Sequence, residues 1–333
     1  MRNIAIHFFG IKAIMSRLAF LITIDTEGDN LWENHDSITT RNAIFLPRFQ
    51  SLCEKYGFKP TWLTNYEMAV DPVYVEFAKD VIARGQGEVG MHLHAWNSPP
   101  LHDLTGDDWR HKPYLIEYPH AVIREKVKYM TQLLEDTFQT KMLSHRAGRW
   151  AFNEYYASLL TEFGYQVDCS VTPRVNWSSS VGNPAGKGGS DYVNFPRRAY
   201  LIDPDDIAKS GQSTLLEVPM SIQYKYSPVI NSIKMGVKKL RGKHPVSSVN
   251  WLRPVGGNLE QMKKVVNQSI AEGADYVEFM LHSSEFMPGG SPTFKNEKDI
   301  EQLYADLEQL FSWLQHQTTG MTLADYYATF KGE

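Results

Sequence analysis

Apolar residues follow two alternating rhythms along this chain. Short continuous runs end in polar residues: "LAFLITID" (18–25), "FKPTWLTNY" (58–66), "GEVGMHLH" (87–94), "QVDCSV" (166–171) and "DYVEFMLH" (275–282). A run that is apolar at consecutive positions fits a strand buried on both faces, the usual state in a parallel sheet. Between the runs, apolar residues recur at helical spacing. "TTRNAIFLPRFQSLCEKYG" carries Ile44, Phe45, Phe49 and Leu52 on one face and stops at Gly57. In "DPVYVEFAKDVIARG", Asp71 caps, Pro72 takes the first helical position and Gly85 ends the helix. Further helices are predicted over 118–139, over 153–165 with Asn153 as cap, over 258–273 and over 297–317.

Strand and helix thus alternate with short connections, which predicts an α/β domain with parallel strands. The rhythm breaks after Trp177: "SSSVGNPAGKGGSDY" is loop-like, and "STLLEVPMSI" reads as an extra strand before alternation returns near Asn258. Without an internal repeat or linker, the simplest organisation is one domain over residues 15–333. It carries an irregular insertion at about 177–250, and residues 1–14 form an extra N-terminal segment.

Ionisable residues gather where the apolar runs end: Asp25 and Glu27, His92 and His94, Arg146, Asp168, and His282. In parallel barrels and open α/β sheets, the C-terminal ends of the strands carry the chemistry. Residues i and i+2 of an extended segment project to one face, so His92 and His94 can reach one point, as two ligands of a divalent ion must. "TIDTEGD" offers a third ligand from Asp25, Glu27 or Asp29. Two imidazoles, one carboxylate and an open position describe a hydrolytic zinc site, though other divalent ions accept the same donors. His282 is a candidate ligand or general acid. Arg146, near His145 and Arg149, is a candidate for orienting a carboxylate, and Asp168 for orienting an imidazole or shaping a turn. Trp96, Trp150 and Trp177 flank this rim and offer platforms for sugar rings.

Composition narrows the classes. With 333 residues, 42% of them hydrophobic, the chain can bury a sizeable core without disulfides; Cys53 and Cys169 read as reduced thiols. A net charge of −4 gives no global call for nucleic acid. No stretch reaches the ~20 apolar residues of a membrane span, and "MRNIAIHFFGIKAIM" lacks a small-residue cleavage site. The expectation is a soluble, cytoplasmic protein. "GNPAGKGG" lacks the spacing and leading strand of a phosphate loop. The basic run of Lys234, Lys238, Lys239, Arg241 and Lys243 reads as a solvated helix face, or else as a contact for an anionic substrate group.

Taken together, these motifs resemble the polysaccharide deacetylases, the NodB-homology or carbohydrate esterase family 4 group. The resemblance runs through "TIDTEGD", "EVGMHLHAW", "HRAGRW", "VDCSVTP" and "FMLHSS", in the family's order and over about four-fifths of the chain. It implies a distorted (β/α)7 TIM-like barrel with a divalent metal at its rim: zinc first, with cobalt, nickel or manganese as alternatives. The implied reaction is hydrolysis of an N-acetyl or other N-acyl group on an amino sugar of a polysaccharide or its precursor. Carried over by motif, Asp25 is the general base, Glu27 and His92 are metal ligands, Arg146 orients Asp25, and His282 is the general acid supported by Asp168. The chain departs from the pattern in three places. The usual adjacent Asp pair is spread to Asp25-Thr26-Glu27. Trp96 stands where the second histidine belongs, leaving His94 as its substitute. The arginine motif reads "RAGRW", without the usual prolines and Tyr. These changes mark a divergent branch.

Overall fold

The computed structural model describes residues 17–32, 37–226, 230 and 248–332. The N-terminal segment 1–14 and the basic run 234–243 lie outside the described residues.

Five strands alternate with helices in the first half: β1 (Leu18–Thr26), β2 (Pro60–Thr64), β3 (Glu88–Leu93), β4 (Ser144–Ala147) and β5 (Val167–Asp168). The region read as an irregular insertion contributes a hairpin of β6 (Tyr200–Asp203) and β7 (Asp206–Ser210), then β8 (Leu216–Glu217). A two-stranded sheet of β9 (Ile222–Tyr224) and β10 (Val249–Trp251) follows. β11 (Tyr276–His282) and β12 (Thr318–Met321) complete the set, both parallel to β1. The order β11-β1-β2-β3-β4-β5-β8 joins seven strands through parallel pairs only. This curled sheet has the parallel α/β order expected from the alternation and forms the distorted (β/α) barrel implied by the family resemblance. β8 and β11 do not pair with each other among the described residues. The seam is crossed by single bonds instead: Met280 N–H donates to the Leu252 carbonyl at 3.3 Å, Glu278 N–H to Ser221 Oγ at 2.9 Å, and the Tyr276 hydroxyl to the Pro219 carbonyl at 2.6 Å.

β1, β2, β3 and β11 bury both faces along nearly their whole length, which explains their apolar runs. Phe20, Ile22 and Ile24 of β1 pack outward with Phe279 and Phe311 under the helices. Burying such side chains stabilises the fold by roughly 2–3 kcal/mol each. Leu21 alternates inward to meet Leu63, Val167, Leu216 and Tyr276. The helix Leu323–Lys331 plugs this interior from beneath with Leu323, Tyr326 and Tyr327. Its Leu323 N–H donates to Thr61 Oγ1, and its Tyr326 hydroxyl to Asp275. No described helix is long and apolar enough to cross a membrane.

Candidate metal centre and catalytic rim

Strand register decides which ionisable groups meet. In the parallel ladders Asp25 lies opposite His282 and His92 opposite Arg146, all at the ends of their strands. One residue beyond β3, His94 keeps the i, i+2 relation to His92. The backbone of the β4 loop passes so close that a Cβ on Gly148 would lie 2.6 Å from His94 Nδ1 and 2.5 Å from the Leu93 carbonyl. Only glycine fits there. Glu27 follows β1, with its main chain clamped by Ser283: Glu27 N–H donates to Ser283 Oγ at 3.0 Å, and that hydroxyl donates back to the Glu27 carbonyl at 2.8 Å.

These elements bring three donors together. His94 Nε2 lies 3.0 Å from Glu27 Oε2 and 3.2 Å from His92 Nε2, while His92 Nε2 is 3.7 Å from the same carboxylate oxygen. A tetrahedral ion with bonds of 2.0–2.1 Å separates its ligand atoms by about 3.3 Å, so the spacing fits one divalent ion. His92 Nδ1 is held at 2.9 Å by the Arg146 carbonyl, which places the proton on Nδ1 and leaves Nε2 as the ligating lone pair. Electrostatics agree. Burial opposes charge on His92, but Asp25 and Glu27 outweigh it and hold its pKa above the ordinary value. Carboxylates that draw a proton to a buried imidazole also draw a cation. Burial would raise the Glu27 carboxyl, yet the adjacent imidazoles of His92 and His94 hold it below the usual range.

Beside this triad lies a second constellation. Burial alone would raise the pKa of Asp25, but Arg146, then His92 and His282, hold it below the usual carboxylate range. Arg146 is fully buried; it donates to Asp25 Oδ1 at 2.5 Å, to Thr23 Oγ1 at 2.7 Å and to Glu278, and its guanidinium lies 4.8 Å over the Trp150 ring. Asp25 therefore stays ionised and fixed, as a base must. His282 Nε2 faces Asp25 Oδ2 at 3.8 Å and Glu27 Oε1 at 4.0 Å. Its other nitrogen, Nδ1, sits 3.2 Å from Glu285 Oε2, which also accepts the His282 main-chain N–H at 2.9 Å. Arg253 Nη2 grips both Glu285 oxygens at 2.9 Å.

The structure does not bring every candidate to the rim. Asp168 points the other way: it pairs with His145 Nδ1 at 2.6 Å, and His145 Nε2 meets the Tyr156 hydroxyl on the helix Glu154–Glu162. The carboxylate beside His282 is Glu285. Asp29, offered as a third ligand, is bound by Arg41 at 2.7 Å. Trp96, Trp150 and Arg149 do line the cavity of about 330 Å³ above the triad, together with Trp32, Tyr114 and Trp177. Trp96 packs between His94 and Trp109, as a wall rather than a ligand. Three partners escaped the sequence reading: Glu278, Glu285 and Arg253. Glu278 was visible as one acid inside an apolar strand, two inward steps below His282. Glu285 was visible as the acid three residues after it, the spacing of a capping box.

No family model matches the sequence, and no curated protein matches it. Solved structures do. A Mycobacterium smegmatis protein assigned as a polysaccharide deacetylase aligns with a TM-score of 0.56 and 13% identity over 95% of this chain and 91% of its own. A Parabacteroides distasonis protein assigned as a glycoside hydrolase or deacetylase reaches 0.62 with 9% identity, over 95% of this chain and 71% of its own. The fold is that of the polysaccharide deacetylases. A PuuE allantoinase shares it at a TM-score of 0.53 and 13% identity, covering 95% of this chain and 91% of its own. These likenesses show the fold; what the residues at its rim can do follows from their own chemistry.

Proposed function

We propose that this chain hydrolyses the N-acyl amide, foremost N-acetyl, of an amino sugar in a polysaccharide or its precursor. The observation that carries the reading is the convergence of Glu27, His92 and His94 beside an ionised Asp25 and the Nε2 of His282. The three donors would hold a divalent ion, zinc before cobalt, nickel or manganese. When bound, that ion supplies Lewis acidity toward the amide carbonyl and lowers the pKa of water. Asp25, held by Arg146, accepts the proton of the attacking water. His282, fixed through Nδ1 by Glu285, presents Nε2 to protonate the departing amine, without which the C–N bond would re-form. The aromatic walls suit the faces of a pyranose ring and keep bulk water from the reacting amide.

The likeness to an allantoinase favours a second reading, hydrolysis of a C–N bond outside sugars by the same groups. One experiment orders the readings. The purified protein is analysed for bound metal and assayed for amine release from N-acetylated chitooligosaccharides and, separately, for turnover of allantoin. The expected result is about one divalent ion per chain and release from the sugar, with both lost in His94→Ala. Absence of retained metal, with no turnover after added Zn²⁺ or Co²⁺, would leave a carbohydrate-binding barrel and defeat the proposal.

A further inference from the structure

The cavity above the triad contains two kinds of charge, and only one is accounted for by hydrolysis. Asp25 and Glu27 are matched by Arg146 and the imidazoles. Lys112 and Arg149 line the same cavity but belong to neither constellation.

These two cations are held in place by contacts from several separate segments. Arg149 donates through Nη1 to the Lys112 main-chain carbonyl, and through Nη2 to Ser180 Oγ at 3.2 Å and the Val181 carbonyl at 3.3 Å. Its guanidinium lies 4.1 Å over the Tyr114 ring. The Tyr114 hydroxyl in turn donates to the Ser180 carbonyl at 2.8 Å. Lys112 Nζ donates to the Leu31 carbonyl at 2.9 Å and sits 5.5 Å over the Trp96 ring. Every acceptor recorded for Arg149 is neutral, none engages its Nε, and it forms no ion pair among the described residues. Burial, then the charge of Arg149, depress the Lys112 ammonium.

The backbone is strained at the same spots. Lys112 has φ 48°, Arg149 φ 54° and Trp150 φ 62°. Three of the five non-glycine residues with left-handed backbone among the described residues therefore line this one cavity. Strain of this kind persists where surrounding contacts enforce it and concentrates at ligand-binding positions. A guanidinium and an ammonium lining one cavity, with the guanidinium anchored on the lysine's own backbone carbonyl, beside aromatic faces and next to the rim, form a receptor for an oxyanion.

We propose that Lys112 and Arg149 bind a negatively charged oxyanion, carboxylate or phosphate, carried by the substrate whose amide is cleaved, so that the enzyme selects acidic N-acyl amino sugars over neutral ones. This rests on the amino-sugar reading, and binding is therefore measured apart from turnover. Calorimetry on the zinc-loaded protein compares N-acetylglucosamine 1-phosphate and N-acetylmuramic acid with the uncharged methyl glycoside of N-acetylglucosamine. At least one acidic sugar should bind about tenfold tighter or better than the neutral one, and which of the two prevails tells phosphate from carboxylate. Arg149→Gln should erase the preference and Arg149→Lys should keep part of it. Lys112→Gln, which alters a different loop, should weaken it if Arg149→Gln fails to fold. Raising salt from low to high ionic strength should erode it as well. Equal binding of acidic and neutral sugars overturns the proposal, as does equal loss of both in Arg149→Gln. An acidic preference without amine release keeps the anion site and defeats the deacetylase reading. Amine release without a preference does the reverse.

Discussion

Glu285 gives the sharpest quantitative prediction. It is almost wholly buried, and one oxygen takes both the main-chain N–H and Nδ1 of His282 at 2.9 and 3.2 Å. Apart from an edge contact with Trp32, whose ring centroid is 4.8 Å away, this carboxylate is what sets the imidazole's direction and puts the proton on Nδ1. Burial would raise its pKa, but Arg253 and His282 hold it below the usual carboxylate range, so it serves as an anion. A positioned general acid is worth ~10²–10⁴ in rate, and losing an outer partner that aims a catalytic imidazole typically costs about 10–100-fold. Glu285→Ala is therefore expected to lower kcat by ~10–100-fold, or about 1.4–2.7 kcal/mol of barrier, with KM little changed. Glu285→Gln should fall at the mild end. Its carbonyl can still accept from His282, while its amide N–H₂ confronts the Arg253 donors. The assay is steady-state amine release from an N-acetylated oligosaccharide, with metal content measured in parallel because His282 lies beside the triad. Wild-type kcat in Glu285→Ala at unchanged metal content would refute the role.

Two further outcomes concern groups away from the reacting atoms. Burial pushes the Glu67 carboxyl up to about 7, from 4.5, against hydrogen bonds from its own backbone and from Gly28 N–H. The folded protein then holds this proton more tightly than the unfolded chain. The stabilisation is fully present below pH 4.5, declines as pH rises, and is gone above 7, a swing on the order of 3 kcal/mol. Urea midpoints at pH 5 and pH 8 should differ less in Glu67→Gln than in wild type, and an identical difference would contradict the assignment. Asp168→Asn should destabilise by about 3 kcal/mol, because it breaks a fully buried pair with His145. It should leave kcat within about threefold of wild type; a large selective fall in kcat would return Asp168 to the catalytic machinery.

The limits of the sequence reading follow from how the barrel buries its strands. β1, β3 and β11 were legible because six to nine consecutive residues must avoid water on both faces. The same double burial hides parity. In "VDC" both neighbours of Asp168 are apolar whichever way the strand faces, so nothing in the sequence told that Val167 and Cys169 turn inward and Asp168 outward. β5 and β8 are two residues long, too short for any period to register. The histidine pair was legible because period-two projection needs only a local extended backbone. Asp29 shares the i+2 relation to Glu27, but β1 has ended at Thr26 and the chain turns there, taking Asp29 to Arg41. Arg253 comes from a distant segment, and only the folded turn after β11, which carries Glu285, brings both groups behind His282.

The helix that stoppers the barrel from below has a consequence for traffic. With Leu323, Tyr326 and Tyr327 wedged into the floor, the substrate and products of the proposed hydrolysis would share the upper doorway. A glycan would then be worked from its flank or its tip, since the described residues close the floor against threading. Fusions or truncations at the C-terminal end would disturb the seal long before they touched a reacting group.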